Sequence, residues 1–392
     1  MSDPERRKRQ TRAPPAGSAT HYYTRYSRVS GKRNPRLPDE DARPVDTRTM
    51  SDSQRTHRRQ PVDPTSSPGG PSARPRGLTV LVTGGAGFVG SHLAASLTPD
   101  NDVRVIDDLS TGDRSRVPED AEFVRGDVRD RGLLARAMAG VDVVFHEAAV
   151  VGVERSVEAP RESHSVNVSA TLDLLEVARN VGARVVVASS AAIYGHPDSV
   201  PVPESAPKEP TSPYGVDKLA VDHYARLYAD LYDLPTVTLR YFNVYGPGHS
   251  GGGYSGVIDV FAEQARAGDD VTVHGDGTQT RDFVHVSDVV EANLLAATTE
   301  HVGEAFNVGT GRSVSISELA ALVRAATGSS SDIVHTDPRP GDVDRSRADV
   351  ATARERLGFT ATTDVEEGVR SLLGGAQAPR SGRTDPSKNG DR

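Results

Sequence analysis

The feature that most constrains this chain is the segment 78–97, LTVLVTGGAGFVGSHLAASL. A run rich in β-branched residues, 78–83, precedes a glycine turn, and an amphipathic stretch follows the turn. This order predicts a buried strand, a tight loop and a helix. The turn glycines lack a Cβ, so the backbone can bend sharply and approach a phosphate group, which the free N–H groups at the helix start attract. These glycines are Gly84, Gly87 and Gly90.

An acidic residue follows at the spacing that a dinucleotide site uses. A second apolar run, Val103 to Ile106, ends at Asp107, which lies 20 residues after Gly87. An acid near this position hydrogen-bonds the adenosine ribose, and it favours NAD over NADP because a 2′-phosphate would meet a carboxylate. The alternative interpretation is that Asp107 and Asp108 belong to an ordinary surface turn.

Three further apolar runs predict parallel strands, whose carboxyl ends meet at the ligand-binding edge of a sheet. We expect these strands to end at Asp127 and Val128, at Ala148 and Ala149, and at Ser189 and Ser190. The small residues after the fourth strand would leave room for a nicotinamide ring. Alternation of strands and helices predicts an α/β chain with a Rossmann fold, that is, a doubly wound parallel sheet.

The segment 165–179, SVNVSATLDLLEVAR, predicts a helix after the fourth strand. Asn167 lies near its start and either bridges to the ligand site or caps the helix. The expected core positions are Leu172, Leu175 and Ala178.

A second helix is predicted from SPYGVDKLA, residues 212–220. Ser212 can cap this helix and Pro213 fits its first turn. Residues four apart share a helix face, so Tyr214 and Lys218 can both face the site beside Ser190. We expect the helix to bury Val216, Leu219, Leu227 and Leu231.

Tyr214 and Lys218 suggest a base for a hydroxyl proton. A free tyrosine has a pKa near ~10, and about 4 kcal/mol of preference for the phenolate would bring it near 7. A close ammonium and an oxidised nicotinamide could supply this preference in a water-poor cleft. Ser190 would hydrogen-bond the oxygen at the reacting carbon. A solvent-facing tyrosine beside an ordinary helical lysine is the alternative.

Composition divides the chain into parts. Residues 1–76 hold 17 Lys or Arg and 8 Asp or Glu, whereas the whole chain has a net charge of −8. The first segment is rich in Arg, Pro, Ser and Gly and poor in aliphatic residues, which predicts a disordered basic tail. Contact of this tail with nucleic acid or anionic lipid is a weaker alternative, and Met50 is a later candidate start.

The remaining composition excludes several classes of protein. Because the chain contains no Cys, disulfides and thiolate metal sites are impossible, and we expect no metal site. No apolar run reaches the roughly 18 residues of a membrane span, and no signal peptide follows the basic start. We therefore expect a cytoplasmic protein. Few lysines and an acidic balance after the tail suit a salt-rich cytoplasm.

Taken together, these motifs resemble the extended short-chain dehydrogenase/reductase superfamily, and within it the NAD-dependent epimerase/dehydratase family, closest to epimerases of the UDP-glucose 4-epimerase type. The resemblance covers residues 78 to about 373. It rests on TGGAGFVG, DDLSTG, GDVRD, HEAA, SSAAIYG, YGVDK, RYFNVYGP, GDGTQTRDFVHV and RPGD. It implies an NAD-binding domain at 77–240 and a smaller α/β lobe at 241–373 that mainly binds substrate. Residues 374–392 resemble the first segment in composition, which predicts a second disordered tail.

The resemblance also assigns roles to residues. It implies that Ser190, Tyr214 and Lys218 are catalytic. Expected NAD contacts are Gly84, Gly87, Phe88, Val89, Asp107, Asp108, Asp127, Val128, Ala148, Ala149, Asn167, Tyr214, Lys218 and Tyr241. Expected substrate contacts are Ser190, Tyr214, Asn243, Val257, Arg281, Arg339, Asp342 and Ser346. The two arginines would clamp the diphosphate of a nucleotide sugar.

Two alanines favour one reaction within the family. Similar 4,6-dehydratases carry an Asp-Glu pair after the catalytic serine, and related decarboxylases carry a Glu there, whereas this chain has Ala191 and Ala192. Epimerisation through a 4-keto sugar needs no second acid/base pair. We therefore expect a UDP-hexose 4-epimerase. The plain and N-acetyl sugars both stay open, because the resemblance aligns the small Ser346 with the position that limits the substituent at carbon 2 of the sugar. The resemblance also implies a homodimer. The alternatives are another nucleotide-sugar epimerase, dehydratase or decarboxylase, or a non-catalytic NAD sensor.

Overall fold

The computed structural model describes residues 74–249, 256–339 and 341–374. The predictions of disordered tails at 1–76 and 374–392 therefore fall almost entirely outside the described residues. No described helix has both the length and the apolar character needed to cross a membrane.

The described residues contain thirteen strands, numbered here in chain order. They are β1 (Thr79–Thr83), β2 (Asp102–Asp107), β3 (Glu122–Arg125), β4 (Val143–His146), β5 (Arg184–Ser190), β6 (Thr236–Tyr241), β7 (Asn243–Tyr245), β8 (Val271–His274), β9 (Thr280–Arg281), β10 (Phe283–His285), β11 (Glu304–Val308), β12 (Val314–Ser315) and β13 (Ile333–Thr336).

Ten α-helices separate these strands in the same described ranges. They are α1 (Phe88–Leu97), α2 (Arg131–Ala137), α3 (Val153–Glu158), α4 (Pro160–His164), α5 (Ala170–Val181), α6 (Pro213–Tyr232), α7 (Val257–Ala267), α8 (Val286–Thr298), α9 (Ile316–Thr327) and α10 (Val365–Gly374). A π-helical turn, Ser165–Ser169, joins α4 to α5.

Seven strands form one parallel sheet in the order β11-β6-β5-β4-β1-β2-β3. Side chains alternate between its faces, as the two-residue period of a strand requires. One face packs against α1 and α8, and the other packs against α2, α5 and α6. The predicted doubly wound Rossmann architecture is confirmed.

A smaller lobe follows the main sheet. Helices α7, α9 and α10 pack with β8 and β10 around a core that includes Phe261, Val273, Leu319 and Val369. Strand β11 lies within the range 241–373, yet it pairs with β6 as the edge strand of the main sheet.

Two strands end earlier than the sequence predicts. β3 ends at Arg125, so Asp127 and Val128 lie in the next turn, where the Asp127 carboxylate accepts a hydrogen bond from the Arg129 backbone N–H at 2.8 Å. β4 ends at His146, and Ala148 and Ala149 occupy the loop that follows it. These four residues stay at the carboxyl edge of the sheet but outside the strands.

The predicted buried face of α6 is wrong. Val216 is 53% exposed, Leu227 45% and Leu231 65%, while Leu219 is half-buried. The helix instead buries a face that combines polar and apolar side chains: Asp217, Lys218, Val221, Asp222, Ala225 and Tyr228. Hydrogen-bond partners for the polar members make this face compatible with burial. On α5, Leu175 and Ala178 are buried as predicted, whereas Leu172 is half-buried.

Candidate active site

A cleft of about 370 Å³ opens at the carboxyl ends of the parallel strands. This is the edge at which doubly wound sheets bind ligands. Its walls bring together most residues that the sequence assigns to NAD and catalysis. They are Gly84, Gly87, Phe88, Val89, Asp107, Asp108, Asp127, Val128, Ala148, Ala149, Ser190, Tyr214, Lys218 and Tyr241.

The glycine turn between β1 and α1 is shaped for close backbone approach. Gly84 adopts a positive φ of 70°, and a Cβ on Gly90 would lie 2.2 Å from the Gly84 carbonyl oxygen. No side chain caps the start of α1, and its first turn carries no acid. The N–H groups there are therefore suited to bind an anion.

Asp107 lies at the end of β2, opposite the glycine turn. Its carboxylate accepts hydrogen bonds from the backbone N–H groups of Ala86 and Leu109, each at 2.9 Å. Burial raises the pKa of Asp107, and the two backbone hydrogen bonds oppose this rise. The acid thus stiffens the turn and also presents a negative group to the cleft.

Asp127 forms a bidentate ion pair with Arg129, which lowers the pKa of Asp127. Both residues line the cleft. The sequence identifies Asp127 but not its arginine partner, although the spacing of two residues in GDVRD was visible.

The predicted catalytic side chains meet where β5 approaches α6. Lys218 is buried, donates a hydrogen bond to the Ala188 carbonyl at 2.8 Å, and places its Nζ 6.0 Å from the centre of the Tyr214 ring. Ser212 caps α6 by accepting from the Gly215 N–H, as predicted. The Ser190 hydroxyl accepts from the Ala192 N–H at 3.1 Å, which leaves its own O–H available to a substrate oxygen.

Helices α3 and α4 fix the start of α6. The Tyr214 backbone N–H donates to the Ser156 hydroxyl at 3.0 Å, which ties α3 to the first turn of α6. Asp217 accepts from the Ser163 hydroxyl at 2.6 Å and lies 3.1 Å from Nδ1 of His164. These contacts restrict where Tyr214 and Lys218 can point.

Asn167 bridges two segments rather than capping a helix. Its Oδ1 accepts from the Val150 N–H at 2.8 Å, and its Nδ2 donates to the Val150 carbonyl at 3.1 Å and to Ser163 at 3.2 Å. No side-chain cap bond marks this helix start. Asn167 therefore holds the loop after β4, whose Ala148 to Val151 residues line the cleft.

The sequence predicts no role for two ionisable residues at the cleft, His146 and Glu147. His146 is buried with Nδ1 2.7 Å from the Thr83 hydroxyl and Nε2 2.8 Å from the Thr171 hydroxyl. Burial, reinforced by the charge of Lys218, lowers the pKa of His146 to about 3. Glu147 lines the cleft and accepts a hydrogen bond from the Tyr241 hydroxyl at 2.8 Å. A Glu directly after a buried strand was the available signal.

Most predicted substrate residues lie away from the walls of this cleft. Asn243 begins β7 and donates through Nδ2 to the Asp282 carbonyl at 3.1 Å, and Val257 begins α7 and packs on the core of the smaller lobe. Ser346 donates its backbone N–H to the Thr280 carbonyl at 3.1 Å.

The two predicted clamp arginines differ in environment. Arg281 is 14% exposed, pairs with Asp342, and donates to the carbonyls of Thr280 and Val343. Arg339 is exposed, and its carbonyl accepts from the Asp342 N–H in a turn. Arg281 and Asp342 are therefore brought together, whereas the structure does not bring the Arg339 guanidinium to them.

The cleft fits an NAD molecule on the evidence of its own residues. The glycine turn offers a backbone cradle that a Cβ would fill, α1 starts without a capping side chain, and Asp107 lies at the position for a ribose. Across the described ranges, His, Asp and Glu form no group of three that could hold a metal ion.

Comparisons with known proteins agree with this geometry. The model of the NAD dependent epimerase/dehydratase family matches residues 80–309. The UDP-glucose 4-epimerase of Mycolicibacterium smegmatis is 40% identical over 307 residues, which cover 76% of this chain and 97% of the relative.

Two solved structures extend the comparison. The UDP-glucose 4-epimerase of Thermotoga maritima with UDP-glucose has a TM-score of 0.73 at 37% identity, covering 76% of this chain and 97% of that one. The UDP-N-acetylglucosamine 4-epimerase of Methanobrevibacter ruminantium with UDP-N-acetylmuramic acid has a TM-score of 0.73 at 33% identity, covering 76% and 97%.

Proposed function

Because the chain belongs to the NAD-dependent epimerase/dehydratase family of the extended short-chain dehydrogenase/reductase superfamily, we propose that it inverts carbon 4 of a UDP-hexose through a transient 4-keto sugar. The placement of Tyr214, Lys218 and Ser190 on one wall of the NAD cleft carries this proposal.

The glycine turn, Asp107 and Asp127 would hold NAD, which when bound supplies the hydride acceptor and donor. Tyr214 would accept the proton of the 4-hydroxyl at its phenolic oxygen and later return it. The Lys218 ammonium, held 6.0 Å from the Tyr214 ring centre, favours the negatively charged phenolate. Ser190 would donate its O–H to the same sugar oxygen and orient it.

The residues after Ser190 favour epimerisation over elimination or decarboxylation. Ala191 and Ala192 begin the 3₁₀ turn Ala191–Tyr194, and neither alanine supplies a second acid or base. Arg281 would bind the diphosphate after exchanging its bond to Asp342 for phosphate oxygens. Asn243 and Ser346 would then contact the sugar nucleotide.

A panel of nucleotide sugars tests this function. We expect UDP-galactose labelled with deuterium at carbon 4 to give UDP-glucose that keeps the label, because the hydride returns to the same carbon. Proton NMR of the products measures both the configuration and the label. Parallel incubations with UDP-N-acetylgalactosamine and dTDP-glucose decide the sugar and base preference. Loss of water from these sugars, or loss of carbon dioxide in a further incubation with UDP-glucuronic acid, would instead support the dehydratase or decarboxylase alternative.

We also propose a homodimer formed through α6. Val216, Ala220, Tyr224, Leu227 and Leu231 recur at spacings of three and four residues, so they share one helix face. Val216, Tyr224, Leu227 and Leu231 are exposed large side chains, and Val153 and Val157 of the adjoining α3 are exposed as well. A second copy of the same stripe would bury this apolar surface.

Sedimentation of a charged variant tests the dimer. We expect Leu227→Glu to sediment as a monomer at a concentration where the wild type is a dimer. Ala321→Glu, which adds the same charge at an exposed position of α9, should leave the dimer intact. A dimeric Leu227→Glu variant, or a monomeric wild type, would contradict the proposed interface.

We further propose a cytoplasmic location, since NAD and UDP-sugars are available there.

A further inference from the structure

Glu147 lines the cleft, and the proposed mechanism assigns it no role. It follows β4 directly, and its backbone N–H donates to the Thr83 carbonyl at 3.1 Å. Its half-buried side chain lines the same cleft as Tyr214 and Lys218. Burial disfavours the charged form of a carboxylate, so a carboxylate in this cleft needs partners that offset that cost.

Two side chains fix the Glu147 carboxylate. The Tyr241 hydroxyl donates to its Oε1 at 2.8 Å, and the buried Asn293 donates through Nδ2 to that hydroxyl, also at 2.8 Å. Asn293 is in turn anchored to the Val289 carbonyl of α8 at 2.9 Å. The carboxylate is therefore held within the cleft by contacts from β6 and α8.

Lys218 lines the same cleft and donates a hydrogen bond to the carbonyl of Ala188 at 2.8 Å. Ala188 follows Val187, which pairs with His146 in the sheet, so this carbonyl lies on the strand position next to Glu147. Burial lowers the pKa of Lys218 to about 8, and the charge of Glu147 is the larger of two attractions that oppose this fall. The smaller attraction comes from Asp217, whose oxygens are already engaged by Ser163 and His164.

We propose that Glu147 is a positioning residue that keeps Lys218 protonated, so that the ammonium stays beside Tyr214 under mildly alkaline conditions. Burial raises the pKa of Glu147 to about 7, against the Tyr241 hydrogen bond and the charge of Lys218. Glu147 is therefore negatively charged under the mildly alkaline conditions in which Lys218 would lose its proton without it.

The other groups around the pair do not supply this charge. His146 on β4 is neutral because burial lowers its pKa to about 3, and burial raises the pKa of Tyr241 on β6 well above its ordinary value. On α6, Tyr214 is the side chain whose phenolate Lys218 would stabilise, and the Asp217 carboxylate contacts Ser163 and His164. The inference concerns the charge of Lys218 and does not depend on which sugar is the substrate.

Lysine NMR measures this effect without turnover. The chain contains five lysines, so ¹³C/¹⁵N-lysine labelling of the NAD-loaded full chain gives few signals, and Lys218→Arg assigns the relevant one. We expect Glu147→Gln to lower the pKa of Lys218 by about one pH unit, the lower end of the range for a nearby opposite charge. The matched control is Glu162→Gln, which changes an exposed carboxylate that lines the same cleft and pairs with Arg155. It should leave the pKa of Lys218 unchanged.

The pH dependence of turnover provides a second readout. In Glu147→Gln, the alkaline limb of the kcat profile should move to lower pH by the same amount, whereas a purely structural role would lower kcat equally at every pH. An unchanged Lys218 titration in Glu147→Gln would overturn the proposal. If Glu147→Gln does not fold, Glu147→Asp and Glu147→Asn give the same comparison of charge. Equal Lys218 titrations in that pair would also overturn it.

Discussion

Replacing Arg240 by Met should destabilise the protein far more than replacing Arg226 by Met, although both arginines contact the same carboxylate. Arg240 on β6 is 2% exposed and binds both oxygens of the fully buried Asp222, at 2.7 and 3.1 Å. Arg226 lies one turn after Asp222 on α6, is 32% exposed, and makes one contact with that carboxylate, at 3.1 Å.

The buried pair also organises its surroundings. Arg240 donates to the Tyr194 hydroxyl and to the Glu204 carbonyl, each at 2.9 Å. Removing Arg240 leaves these acceptors and half of the Asp222 carboxylate unpaired in a buried site, and breaking a buried pair in this way costs about 3–5 kcal/mol. Loss of the half-exposed Arg226 should cost about 1 kcal/mol or less.

Thermal unfolding followed by far-UV circular dichroism measures the difference, since the chain has no Trp to report by fluorescence. We expect the unfolding midpoint of Arg240→Met to fall by on the order of 10 °C, and that of Arg226→Met by a few degrees at most. Equal losses in the two variants would refute the reasoning that burial decides the strength of these ion pairs.

Three further predictions follow from the cleft and its neighbours. Gly90→Ala should abolish NAD binding measured by calorimetry, because its Cβ would lie 2.2 Å from the Gly84 carbonyl; Gly132→Ala, which meets only side chains at 3.2 Å or more, should bind normally. Asp107→Asn should weaken NAD at least tenfold in the same assay, and unchanged affinity would refute the ribose role. The folded-state pKa of His146, about 3, lies below the unfolded value of 6.5, so the unfolded chain binds a proton that the folded chain excludes. The free energy of unfolding should therefore fall as the pH drops from 6.5 to 3, by at most roughly 5 kcal/mol. In His146→Gln, the free energy of unfolding, measured by urea denaturation at several pH values, should change less with pH.

The main sheet and its ligand edge could be predicted from the sequence because local signals agree there. A β-branched run, a glycine turn and an acid 20 residues after Gly87 each require a distinct backbone, and together they fit a parallel sheet with a dinucleotide turn. The structure confirms this sheet and brings Ser190, Tyr214 and Lys218 to one cleft. Their chemical roles stay a prediction.

The buried face of α6 could not be predicted in this way. Apolar periodicity selects Val216, Leu227 and Leu231, but the helix buries Asp217, Lys218 and Asp222, because partners elsewhere in the chain satisfy these polar groups. Such partners are up to 54 residues away along the chain and leave no local signal. Exposure of the apolar face is equally non-local, since it depends on whether another described part of the chain covers that face, and none covers Val216, Leu227 or Leu231 fully.

The central claim is that the Tyr214 hydroxyl moves the proton in carbon-4 inversion, and the conversion rate of UDP-galactose measured by proton NMR tests it most directly. We expect Tyr214→Phe to lose at least about 100-fold in kcat, the lower bound for a general acid–base group, while NAD affinity changes little. Tyr232→Phe, which removes the hydroxyl of an exposed tyrosine on the same helix, should convert the sugar at the wild-type rate. Wild-type inversion by Tyr214→Phe would contradict the mechanism.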